Sequence, residues 1–198
     1  MMIIERKKTQ ELIGRAYGTA LQHGFHEKDR SKEHLLMLVL SEIGEAVEAD
    51  RRSRRAQMEM FDEWAGRPQP VGDEEKHWCF VFEKCIKDTL EDELADVVIR
   101  LYDICGKYTV MPIEDNVMLH ESFRASNEDK TFCERCYYLC QILTDAYSLD
   151  HDELDKMVGF ALSFICFMCE DMHIDILKHI ELKMRYNTTR PALHGKKY

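Results

Sequence analysis

The sequence predicts an all-α fold, a single helical bundle of about five to six helices around a four-helix core. Apolar residues recur mostly at the three-to-four-residue spacing of an amphipathic helix. Convincing alternation of apolar and polar residues, the mark of half-buried strands, is absent from the sequence. Only 4 prolines and 9 glycines in 198 residues leave little turn chemistry for a many-stranded sandwich or barrel.

Taken in order, the first helix is predicted over Lys7 to His23. The second starts after Ser31, a good N-cap residue, and runs to about Arg55. Ala65 to Asp73 carries two prolines and two glycines and reads as a loop. A third helical region covers roughly His77 to Tyr108, broken near Asp88. Thr109 to Lys130 is polar and weakly periodic, a connection with at most short helical turns. Three more helices fit Thr131 to Tyr147, His151 to Asp171 and Ile174 to Tyr186, before a basic, non-helical tail from Asn187 to Tyr198. The chain is thus one domain, 1–198, with insertions near 56–87 and 110–173. An internal echo links EDELADVVIRLYDIC with HDELDKMVGFALSFICFMC, so two helix–loop–helix halves would fold into one core. In such a repeat Gln141 and Thr144 stand where Glu42 and Glu45 stand in the first half, and the second half is a scaffold.

Charge narrows the functional classes. With 27 Lys and Arg against 37 Asp and Glu, the net charge is -10, which argues against general nucleic-acid binding. The longest apolar run, Met157 to Cys169, has 13 residues, whereas a spanning helix needs about 20, so it reads as a core helix. MMIIERKKTQ lacks a secretory pattern, so the expectation is a soluble, cytoplasmic protein with reduced cysteines.

The acids carry the functional signal. In Glu33 to Asp50, Leu36, Val39, Leu40, Ile43 and Val47 form a narrow core stripe. Glu42 and Glu45 lie in a sector otherwise held by Leu35, Leu38 and Ala49. Two carboxylates among apolar neighbours are costly unless neutralised, and a metal ion neutralises both. Glu93 and Asp96 repeat the three-residue spacing on the flank of a second core stripe, near Arg100 and Asp103. Packed side by side, the two helices would converge four carboxylates, a hard oxygen set suited to Mg²⁺.

These residues carry a resemblance. Glu42-Ile-Gly-Glu45 and Glu93-Leu-Ala-Asp96, in the settings LxLSEIGEAVEA and DELADVVIRL, are similar to the E-x-x-E and E-x-x-D motifs of the all-α NTP pyrophosphohydrolase superfamily. This is the MazG-like group that includes dimeric dUTPases. Lys183-Met-Arg-Tyr-Asn187-Thr-Thr-Arg190 resembles its C-terminal Lys-x-x-x-Asn segment. The resemblance implies Mg²⁺-dependent hydrolysis of a canonical or non-canonical (d)NTP to the monophosphate and pyrophosphate, in nucleotide-pool house-cleaning. Mn²⁺ would serve as a substitute ion. It implies Glu42, Glu45, Glu93 and Asp96 as metal ligands, with Glu42 or Glu45 orienting or deprotonating the attacking water. Lys183, Asn187 and Arg190 would contact substrate, in keeping with the basic C-terminal segment. His34, Trp64 or Trp78 would line a base pocket. The partner is the nucleotide, not nucleic acid or a membrane, and the chain would assemble as a homo-oligomer or act alone through its duplicated core. The chain departs from compact members in the 47 residues between Glu45 and Glu93, and in the long stretch from Val110 to Ile174.

Other readings remain. A non-catalytic nucleotide-binding or helical interaction module of the same fold would keep the acids without turnover. A ferritin-like di-iron bundle needs paired Glu-x-x-His motifs, and Glu74-x-x-His77 and Glu170-x-x-His173 lie at predicted helix ends. Cys133-x-x-Cys136 and Cys166-x-x-Cys169 fall within apolar helical patterns, where cysteine acts as a small core residue rather than a zinc ligand.

Overall fold

The computed structural model describes residues 4–113, 117–145 and 150–195, and the described residues are all-helical. Among them nine α-helices run in order: α1 Arg6–Gln22, α2 Lys32–Arg51, α3 Met58–Ala65, α4 Glu74–Cys85, α5 Leu90–Tyr108, α6 Val117–Asn127, α7 Phe132–Thr144, α8 His151–Asp171 and α9 Ile176–Thr188. A 3-10 turn follows at Ala192–Gly195. Among the described residues no single helix is long and apolar enough to cross a membrane.

Side chains mark most helix starts. The Ser31, Thr89, Thr131, Asp150 and Asp175 side chains each accept a backbone N–H from the first turn of the following helix. Each satisfies a donor that the helix itself leaves unpaired. At Thr131 the bond is reciprocal, because Glu134 returns to the Thr131 N–H in a capping box. At three helix ends a non-glycine residue supplies the left-handed turn. Ser53, Thr109 and His173 have φ of 54°, 54° and 58°. The next residue's N–H in each case turns back to a carbonyl of the last helical turn, as Arg54 does to Ala49. This closure stops α2 at Arg51 rather than near Arg55. Asp88, at φ 60°, makes the predicted break between α4 and α5.

Two further helices differ from expectation. The span from Thr109 to Lys130 contains the eleven-residue α6, held by Phe123 edge-on to Phe164 of α8 at 5.1 Å. Its burial is supplied by a partner distant in sequence, which local periodicity does not register. α3 has only eight residues and is fixed by packing on α4. The last helix extends to Thr188, so Asn187 is helical rather than part of a tail.

α5 lies at the centre, packed on α1, α2, α8 and α9. The pairs α2–α5, α7–α8, α2–α7 and α5–α8 close a ring of four helices, with α1 outside α5 and α6 outside α8. The segment 110–173 is therefore no appendage, since Leu139, Val158, Phe164 and Phe167 complete the main core. A second, smaller core joins α3 and α4 to α9. There Trp78, Phe82 and Tyr186 stack in series, at 5.4 Å and 4.5 Å between rings, and Arg185 lies 4.0 Å above Trp78.

The α1–α5 crossing depends on a missing side chain. A Cβ on Gly106 would lie 2.4 Å from the Tyr17 Cβ. Gly106→Ala forces the two helices apart and should cost about 1–3 kcal/mol, read from urea denaturation. Leu101→Ala, at a fully buried α5 position, should cost about 2–5 kcal/mol in the same assay.

Candidate functional site

The packing of α2 along α5 brings the two acid pairs together. A residue and its neighbour three positions on share a helix face, so Glu42 and Glu45 look across at Glu93 and Asp96. One carboxylate oxygen each from Glu42, Glu45 and Glu93 lies within 4.8 Å of the others. Glu42 and Glu93 are buried, at 2% and 5% exposed, whereas Glu45 opens to solvent. Asp88, Asp92 and Glu93 form a second group of the same tightness, so Glu93 belongs to both.

Internal cations answer part of this charge. Arg100, one turn beyond Asp96, places Nε 2.6 Å and Nη2 2.5 Å from Oε1 of Glu42. Lys183 of α9 donates to Asp92 at 2.7 Å and lies 2.8 Å from Asp96. Burial opposes the Lys183 charge, but Asp96 and Asp92 outweigh it and hold the ammonium well above its ordinary value. Glu91 is met by Arg55 at 2.6 Å and by the Ala56 N–H.

Glu93 is the exception. Among the described residues no cation lies within ion-pairing distance of its carboxyl. Burial drives it up to about 8; Lys183 pulls it down, while Asp96, Asp92 and Glu45 push it further up. Among the described residues, Glu42, Glu45, Asp92, Glu93 and Asp96 outnumber Arg100 and Lys183, the cations paired with Glu42, Asp92 and Asp96, a surplus of negative charge in a largely buried setting. Oxygen-only donors, that surplus and an uncompensated buried carboxyl fit a hard divalent cation.

A cleft of about 840 Å³, its open mouth included, lies beside the acids. Glu42, Asp96 and Arg100 form part of its wall, with Asn187 and Arg190 from the C-terminal segment. Asn187 is 7% exposed, and its Oδ1 has no hydrogen-bond partner among the described residues. No family model, no curated protein and no solved structure matches this chain.

Of the residues singled out by sequence, Glu42, Glu45 and Glu93 come together, and Asp96 stands beside them, engaged with Lys183. Asn187 and Arg190 reach the cleft wall. Lys183 is 4% exposed and spends its donors on Asp92 and Asp96, not on the cleft surface. His34 sits in the first turn of α2, where its N–H bonds the Ser31 cap, away from the cleft lining. Trp64 and Trp78 pack in the small core of α3 and α4. Asp92 was not singled out by sequence, although a run of five acids in ten residues from Asp88 signals it. Gln141 and Thr144 are exposed on α7, and the Thr144 hydroxyl donates to the Cys140 carbonyl.

Two outcomes follow for stability. A carboxyl raised from 4.5 to about 8 binds its proton more tightly in the folded chain. Its contribution is intact below about pH 4.5 and is lost as pH rises through about 8. In metal-free protein, Glu93→Gln should therefore melt near the parent at about pH 5 and above it at about pH 9. Lys183→Met removes the buried ammonium from Asp92 and Asp96 and should cost about 3–5 kcal/mol in chemical denaturation.

Proposed function

We propose that this chain is a Mg²⁺-dependent nucleotide pyrophosphohydrolase, cleaving a (d)NTP to its monophosphate and pyrophosphate in the cytoplasm. The observation that carries the reading is Glu93, a buried carboxyl with no cation at ion-pairing distance among the described residues, drawn together with Glu42 and Glu45. Glu42, Glu45 and Glu93 would hold the ion, and Asp96 would join them by releasing Lys183. Mn²⁺ offers the same hard-oxygen preference. When bound, the ion supplies charge for the phosphate oxygens and lowers the pKa of a water.

The chain's own residues divide the remaining work. Glu45, the solvent-facing member, accepts the proton of the attacking water. Asn187, with an unsatisfied Oδ1 on the cleft wall, takes a hydroxyl of the sugar. Arg190 at the same wall pairs with phosphate oxygens, and its guanidinium geometry matches them in a two-pronged fashion. Water would add to phosphorus at the α–β bridge and pass its proton to Glu45, as the bridging P–O bond breaks and the monophosphate and pyrophosphate separate.

One observation favours a second reading, a nucleotide-binding module without turnover. Arg100 and Lys183 already pair with Glu42, Asp92 and Asp96, and carboxylates engaged internally are less available to an ion.

Pyrophosphate release from a panel of NTPs and dNTPs, with Mg²⁺ and with EDTA, separates the two. Release should require Mg²⁺, and Glu45→Ala and Glu93→Ala should each lower kcat at least about 100-fold. Absence of release from every nucleotide, in protein shown to be folded, would favour the binding module.

A further inference from the structure

Arg100 touches both halves of the site. Its guanidinium grips Glu42 through Nε and Nη2, and the same side chain forms part of the cleft wall. Glu42 is nearly sealed, its side chain 3% exposed, whereas Arg100 is 24% exposed and has room to move. Lys183 has no such freedom, at 5% exposed between two carboxylates. On α5, Glu93, Asp96 and Arg100 follow one another at three- and four-residue intervals and share a face. A divalent ion that draws on Glu42 must therefore compete with Arg100 for that carboxylate. An ion bound to the buried Glu42 would take over the charge pairing that Arg100 supplies there.

Resting on the pyrophosphohydrolase reading, we infer that Arg100 is a placeholder cation, which neutralises Glu42 until a divalent ion takes that carboxylate and then turns into the cleft to bind the substrate's phosphates. The displaced guanidinium exchanges one anionic oxygen partner for another. The phosphate chain is the ligand class that suits it, because phosphate oxygens match its paired donors. Ion and polyphosphate then reinforce each other: phosphate draws Arg100 from Glu42 and frees the carboxylate for the ion, and the ion frees Arg100 for phosphate. This coupling is reciprocal by thermodynamic necessity. Arg100 is thus a positioning residue for the ion and a contact residue for the substrate.

The test is calorimetry on the full chain, first with Mn²⁺ alone and then with inorganic triphosphate preloaded with Mn²⁺. Arg100→Gln should bind Mn²⁺ about tenfold more tightly than the parent and Mn²⁺-triphosphate about tenfold more weakly. A merely structural arginine would weaken both or neither. If Mn²⁺ binds the parent and Arg100→Gln leaves its affinity unchanged or lowers it, the placeholder role is overturned while the cation site stands. If the folded parent binds no Mn²⁺, or binds it equally after Glu93→Gln, the cation site itself fails and the Arg100 role falls with it. Should Arg100→Gln not fold, Arg100→Lys keeps a charge without the paired donors. It should shift both affinities in the same opposite directions, and unchanged values for both would overturn the proposal.

Discussion

The centre of this molecule has to neutralise the acids of a buried helix start. α5 is enclosed by α1, α2, α8 and α9, and its first turn buries Glu91, Asp92 and Glu93 in succession. Acids at a helix N-terminus are favoured by the exposed backbone N–H groups, but that benefit does not cover the burial of three carboxylates. Two of the three therefore fix something else. Glu91 ties down Arg55 and the Ala56 N–H, anchoring the chain as it enters α3. Asp92 also accepts the Asp88 N–H, which holds the left-handed turn ahead of α5. With Asp96 it draws Lys183 inward and so seats α9. Glu93 has no ion pair among the described residues, and its burial and the nearby Asp96, Asp92 and Glu45 oppose its charge more than Lys183 supports it.

The sequence exposed the acids for a physical reason that also limited it. Glu42 and Glu45 stand out because their helical sector is otherwise apolar, and a carboxylate there needs a neutraliser. Periodicity reveals that a side chain is enclosed, but not by what. Lys183 illustrates the gap, since its basic neighbourhood suggested a surface for phosphate, whereas its two partners lie 87 and 91 positions earlier in the chain. α6 was obscured similarly, because Phe123 finds its counterpart on α8. The end of α2 was placed a turn too late because Ser53 turns the chain in a left-handed conformation without glycine, whereas the ends at Tyr108 and Asp171 were legible. Where the interaction was local, as with the Ser31 cap or the break at Asp88, the sequence was legible to within a few residues.

The ring of α2, α5, α7 and α8 explains why the chain carries a long second half. One helix pair has two apolar flanks, and α7 and α8 cover what α2 and α5 would leave open. Their cysteines serve the same packing role, since Cys136, Cys166 and Cys169 are buried and all eight cysteines are free thiols. Burial pushes the Cys169 thiol far above its ordinary value, as expected of a packing residue rather than a nucleophile. The two halves also differ where it matters chemically, for Gln141 and Thr144 carry no charge and face solvent.

The small core of α3 and α4 has an optical consequence. Both tryptophans of the chain, Trp64 and Trp78, reside there, and none lies in the four-helix ring. Intrinsic fluorescence excited at the indole band is therefore blind to the larger core and watches only the hairpin seated on Tyr186. Far-ultraviolet circular dichroism weighs every helix alike. Recorded together, the two signals resolve whether α3 and α4 leave α9 before the ring opens, using nothing but chromophores already in the sequence.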